Sequence, residues 1–290
     1  MFRMHAYLIR MFGDIPAVTM IMRMIGHNGY SPCRMCKITG LRVPGGGTTL
    51  YVPLNRSSHP SVQGVVDAIE IYNPKNLPLR THDEMYEQAK FVEEASSEAE
   101  ANRRSRDTGI KGSSVLYHIH SLKFPDSFPY NFMHLIWENL IKNLIKLWTA
   151  DFKGMDSGTG SYELQKSVWE AIGEATVSAG STMPSIYGPR LPDISKDGAY
   201  LSAEMISFWT LYLGPILLHS KFADQRYYDH FIPLVRLLNI CLQFEISNDE
   251  VDQLENGFAT WVNDYEDFQY FERAVLCGAI GPFLWSDIVE

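Results

Sequence analysis

The sequence predicts an α+β fold that is mostly helical. Three observations carry this. One apolar run near the start, HAYLIRMF from His5 to Phe12, reads as a strand. From Pro129 onward, apolar residues recur at helical spacing almost without interruption. The 290 residues are 46% hydrophobic and 20% charged, which is globular composition with enough apolar surface for a sizeable core.

In chain order, His5–Phe12 shows little alternation, so both faces of the strand are expected to be covered. Gly13 ends it, Asp14 occupies the turn, and Pro16 suits the first position of a helix over AVTMIMRM. Residues 26–60 are punctuated by glycines, with TTLYVPL as one short strand. Residues 81–106 read as a charged helix with acids leading and arginines closing, the order a helix dipole favours. LYHIHS reads as an extended segment with His118 and His120 on one face. Beyond Pro129, PYNFMHLIWENLIKNLIKLW, SYELQKSVWEAIGEATVSAG, AEMISFWTLYLGPILLHS and two further segments read as helices, with a break at Gly214-Pro215. The organisation expected is 1–60, a core strand and helix with a cysteine insert; 61–128, a linker with the charged helix; 129–270, a helical domain; and 271–290, a divergent tail.

No run of eighteen apolar residues occurs, so no membrane partner is expected. Four cysteines in this length argue against a disulfide scaffold. The net charge is −9, yet residues 1–60 hold seven basic side chains against the single acid Asp14. Within that basic end Arg23, Arg34, Lys37 and Arg42 are candidates for phosphate-backbone contacts, against the plainer reading of a solvated patch.

Cys33-x-x-Cys36 has the spacing at which two thiolates grip one zinc through a tight turn. With Cys241 and Cys277 reading as structural or incidental, the remaining ligands would come from His27, His59, His118 or His120, with His59 the expected third ligand. Asp14, in a strand-to-helix turn, is either a cap or a carboxylate for a catalytic Mg²⁺. Asn131 is a good N-cap with His134 on the first helical turn, and Ser202 is the plausible cap of a helix whose first turn holds Glu204.

Taken together, GDIPAV, GHNGYSPCRMC, YVPL, NLPLRTH, GIKG, SFPYNFMHLIWENL, AEMISFWTLYLGP and YYDHFIPLVRLLNICLQFEIS resemble the transposases of CACTA-type (En/Spm-like) DNA transposons, especially fungal copies. The resemblance covers most of residues 5 to about 262, in family order. It implies a partial RNase H-like core with a zinc-knuckle-like insert and a large helical insertion. It also implies DNA cleavage and strand transfer with Mg²⁺ or Mn²⁺, a zinc ion, transposon-end DNA as partner with a homo-oligomer allowed, and a nuclear location. Carried over residue by residue, Asp14 is the family's second catalytic aspartate, Cys33 and Cys36 its Cys-x-x-Cys, and His134 the histidine of its Asp-x-x-His signature. Glu204 is placed as the final glutamate, with Glu138 as the alternative.

Three departures qualify this expectation. The first catalytic aspartate would lie on an earlier strand, and this chain begins thirteen residues before Asp14. Asn131 stands where the family has an acid, and the text after about residue 270 ceases to resemble the family. The chain is therefore expected to be a catalytically incomplete fragment or relic. A domesticated DNA- or protein-binding module is the rival reading, and an unrelated metal-binding structural protein a third.

Overall fold

A computed structural model describes residues 6–26, 29–42, 50–151, 160–183, 190–197 and 201–267. The chain is mostly helical with very little strand, as the sequence predicts. It divides into two compact units, and the division falls between His134 and Leu135.

The first unit opens with a correction. The described part of the expected strand, residues 6–12, joins no ladder. It is tied down by the Met11 N–H donating to the Ser127 carbonyl at 2.8 Å and by the Ser121 hydroxyl donating to the Leu8 carbonyl at 2.6 Å. Tyr7, Ile9 and Phe12 remain exposed, Ile9 at 66%. A strand that is apolar on both faces needs sheet neighbours and a layer on each side, and no such neighbour occurs among the described residues.

Helix α1 (Ile15–Ile21) follows, started by Asp14 and Pro16 and ended where Arg23 takes a positive φ of 58°. Strands β1 (Leu41–Arg42) and β2 (Leu50–Tyr51) form a two-stranded antiparallel ladder with Leu41 opposite Tyr51. The charged segment is two helices, α2 (His82–Glu93) and α3 (Glu98–Thr108). The break comes from Ser96-Ser97: Ser97 accepts from the Glu100 N–H, and Glu100 reaches back to the Ser96 N–H and hydroxyl, a reciprocal cap that starts a new helix. Met85, Ala89 and Val92 turn one face of α2 inward, and Met85 and Ala89 join Val18, Met22, Phe124 and Phe128 in the core. LYHIHS is not extended either. Val115–His118 is a 3₁₀ turn whose Ser114 side chain accepts from Leu116, and His118 and His120 are both exposed.

Among its described residues, the regular elements of the second unit are all helices. A π-helical segment, Met133–Ile141, crosses the division in sequence and runs on as α4 (Lys142–Trp148). Then come α5 (Lys166–Ala179), α6 (Ile194–Asp197) and α7 (Ala203–Phe208). α7 continues through a π turn, Trp209–Leu213, into α8 (Gly214–Leu217). The expected break at Gly214-Pro215 is thus absorbed inside a continuous helical stretch: Pro215 has no N–H to give, and the wider turn just before it relieves its ring. Trp209 anchors this stretch by donating to the Thr176 hydroxyl at 3.2 Å.

The last two helices, α9 (Arg226–Cys241) and α10 (Asn248–Asp267), pack as a hairpin. They are cross-linked at one level. His230 stacks on Trp261 with ring centroids 4.5 Å apart, its Nε2–H donates to the Trp261 carbonyl at 2.8 Å, and the Trp261 indole donates to the His230 carbonyl at 2.9 Å. No described helix is long and apolar enough to cross a membrane.

Candidate functional site

The Cys33–Cys36 turn is the most heavily built feature of the first unit. Both cysteines are buried, at 1% exposure each. The Cys33 sulfur accepts two backbone N–H groups, from Met35 at 3.3 Å and Cys36 at 3.2 Å. These two bonds fix the Cys33 sulfur over the turn.

Three distant segments hold the turn in place. Residues 78–80 run beside it: Lys37 N–H donates to Pro78, Arg80 N–H donates to Met35, and Cys36 bridges Leu79 in antiparallel fashion. The Arg80 guanidinium, 4% exposed, donates through Nε to the carbonyls of Cys33 (3.0 Å) and Cys36 (3.1 Å) and through Nη2 to the Ser31 hydroxyl (2.7 Å). Burial pulls the Arg80 pKa down, while Cys33, Cys36 and Glu84 push it back up. From the other side Arg34 lies 3.5 Å from the centre of the Tyr130 ring and donates to the Pro129 carbonyl at 3.2 Å. The third segment is Gly109, the left-handed cap of α3 at φ 80°, which comes so close that a Cβ there would sit 2.1 Å from the Ser31 carbonyl oxygen.

These contacts change the roles assigned from sequence. Arg34 is 2% exposed and stacked, so it does not face a phosphate backbone. Lys37 is spent on a two-oxygen ion pair with Glu84 at 3.0 and 3.1 Å. Arg56, counted in the basic end, is also buried, donating to the carbonyls of Thr39 and Pro53. Only Arg23 and Arg42 of the four candidate DNA contacts are exposed, joined by Arg10. Buried guanidinium groups are indistinguishable from surface ones in a charge count, which is why the sequence missed this.

His59 does not present itself as a zinc ligand. Its Nε2 donates to the Arg42 carbonyl at 2.8 Å, which leaves Nδ1 as the lone-pair nitrogen, and Nδ1 already accepts from the Ser61 hydroxyl (2.6 Å) and N–H (3.2 Å). His27 lies outside the described residues. Among the described residues no group of three His, Cys, Asp or Glu side chains is poised around a metal. Of the three residues assigned to zinc from sequence, only Cys33 and Cys36 share one turn, and they do not make up a ligand set. Cys241 is a different case, a half-buried thiol in α9 pushed up to about 11 by burial and so inert.

Asp14 is exposed and acts as the N-cap of α1, accepting the Ala17 N–H at 2.6 Å. No cluster of acids surrounds it among the described residues, so the donors described do not fit a two-metal centre. Replacing Asp14 by alanine should cost about 1 kcal/mol in denaturant unfolding, while asparagine, which caps equally well, should cost little. An equal loss in both variants would show that the charge, not the cap, is what matters.

Asn131 caps its helix as expected, its side-chain oxygen accepting the His134 N–H at 3.2 Å. Through Pro129 and Tyr130, this helix start is brought next to the Cys33–Cys36 turn. Glu138 pairs with Lys142 one turn on. Glu204 is an exposed first-turn acid in α7, behind the cap made by Ser202 to Met205 N–H at 3.3 Å. Sequence reasoning missed Ser31, Arg80, Gly109 and Tyr130 as parts of the cysteine site; their residue types carry no signal without the fold. Comparison of the chain with known protein families, with characterised proteins and with solved structures yields no match.

Proposed function

We propose that this chain derives from a CACTA-type DNA transposase and acts on DNA by holding it rather than by cutting it. The supporting observation is that the stretches carrying the resemblance are the ones the first unit ties together. GHNGYSPCRMC, NLPLRTH, GIKG and SFPYNFMH meet around one turn through Arg80, Gly109 and Arg34. Segments that share a resemblance and also interlock belong to one ancestral unit.

On this reading, residues 6–14 and α1 correspond to a strand and helix of an RNase H-like core, and the second unit to the helical insertion. The apolar side chains left exposed at Tyr7, Ile9 and Phe12 suit such a strand. Asp14 holds the position of a catalytic carboxylate, but here it serves as a cap. Glu204 remains the assigned final glutamate, and the expected metal in the intact family is Mg²⁺ or Mn²⁺. A DNA-handling role places the protein in the nucleus.

The experiment is a duplex-binding titration at several salt concentrations. With Arg34 and Arg56 buried and Lys37 paired, the exposed cations described in the basic end are Arg10, Arg23 and Arg42. Three phosphate contacts give a slope of about −3 in log K against log salt. Reversing all three to glutamate should abolish the slope. The same duplex should survive Mg²⁺ and Mn²⁺ uncut. Absence of binding would remove the DNA reading, and nicking that Asp14→Asn eliminates would restore the enzyme.

A further inference from the structure

Helices α9 and α10 leave a groove of about 610 Å³ along one side of their hairpin. Its floor is apolar: Pro233 and Leu237 from α9, Gly257 and the buried Trp261 from α10. Gly257 sets how closely the helices meet there, since a Cβ at that position would fall 2.5 Å from Leu237 Cδ2. The rim differs from end to end. Asp229 and Asp264 flank the level fixed by the His230–Trp261 stack, while Arg236 and Gln253 lie further toward the closed end of the hairpin. The acidic end is rich in unused acceptors. Pro233 has no N–H, so the Asp229 carbonyl four residues earlier lacks its helical donor. The Asp229 carboxylate accepts from the Gln225 side-chain amide at 3.3 Å. Among the described residues no donor or cation reaches the Asp264 carboxylate, and burial and the neighbouring Asp267 hold it above the usual carboxylate range. Arg226, on the same rim, is taken by Asp224 at 2.9 Å.

The wider charge points the same way. From Arg226 to Asp267 the chain carries nine acids and two arginines, so the field around the groove attracts a cation and repels a phosphate backbone. We propose that this groove binds an extended peptide segment of another protein, with one lysine or arginine side chain seated between Asp229 and Asp264 and an apolar neighbour laid on the Pro233–Trp261 floor. A basic side chain brings the N–H donors that the three acceptors lack, and its apolar stem suits the same floor. The other end selects for a peptide over a free polyamine. Arg236 is exposed and forms no ion pair among the described residues. It repels a second ammonium group, whereas a peptide offers it a backbone carbonyl. From Asp229 to Arg236 is about 10 Å along α9, the reach of about three extended residues. All of these groups belong to the second unit, so the site owes nothing to the arginines of the DNA reading.

The test is a fluorescence-polarisation titration of the purified full chain against a short labelled peptide, blocked at both ends, with one lysine between leucines. Binding should saturate at a single site and disappear when glutamine replaces the peptide's lysine. Asp229→Asn and Asp264→Asn should each weaken it about tenfold, and Arg236→Gln about threefold. Thr260→Trp is the second line of evidence: Thr260 is exposed on the rim, so an indole there fills the groove and should block the peptide with an unchanged far-UV spectrum. Spermidine should displace the labelled peptide only at higher concentration than the same peptide unlabelled. Overturning results are no saturable binding, a glutamine peptide that binds as tightly, folded variants that all bind like the parent, or spermidine as the better competitor.

Discussion

Gly109→Ala should unfold the first unit while leaving the second intact. Gly109 caps α3 at φ 80°, and an added Cβ would lie 2.1 Å from the Ser31 carbonyl oxygen and 3.2 Å from Arg80 Nη2. The first neighbour is backbone and cannot rotate away. The left-handed backbone adds about 1–3 kcal/mol of strain to an overpacking cost of similar size, so the total should be about 3 kcal/mol or more. The effect spreads because the Gly109 carbonyl also accepts the Ile25 N–H at 2.8 Å and Met24 bridges Ile110. Gly64→Ala is the control: its φ is 73°, but nothing lies within 4 Å of the new methyl, so only the backbone cost remains. The probes separate the units cleanly, since every tryptophan among the described residues lies between Trp137 and Trp261. Far-UV signal should fall in Gly109→Ala while the tryptophan transition stays put. Parent-like melting by both probes would refute the close approach.

Acidification should loosen the α9/α10 hairpin well above the carboxylate range. His230 is buried and neutral, its pKa lowered to about 4 by loss of solvent, with its bond to the Trp261 carbonyl opposing the shift. The unfolded imidazole titrates near 6.5. Below that value the unfolded chain takes up a proton that the folded chain refuses, so stability present above about pH 6.5 drains away as pH falls toward 4. Between pH 7.5 and 5 the loss is about 2 kcal/mol. Asp264 in α10 acts in the opposite sense, since burial and Asp267 raise its pKa and protonation favours the folded form. Comparing the parent with His230→Phe isolates the imidazole: the variant's tryptophan-detected stability should stay flat between pH 7 and 5. Parallel pH profiles for the two proteins would show that His230 is not the titrating group.

Helix caps were the most legible part of the chain. Asp14, Asn131 and Ser202 all cap where their residue types and positions say they should, because a cap is satisfied by a backbone N–H only three residues away. Helix existence in the second half was equally plain, since 3.6-residue periodicity is a local property. Two of the three expected strands failed, while Leu50–Tyr51 within TTLYVPL does pair. HAYLIRMF and LYHIHS have strand-forming composition, but a strand exists only through a partner elsewhere in the chain, and composition does not report partners. The charged helix split in two because Ser96-Ser97 offered the backbone a competing cap, a local signal that charge order had masked.

The candidate site divides along the same line. Two thiols at metal-binding spacing, and a cap residue that could also serve as a carboxylate ligand, were settled by residue type and separation alone, which the chain carries wherever it folds. Which arginines face water and which are walled in against Cys33 and Cys36 was decided by tertiary contacts 44 to 95 residues away in sequence. A guanidinium has the same charge in either place; only the packing around it determines whether that charge is offered to a partner or consumed in holding the protein together.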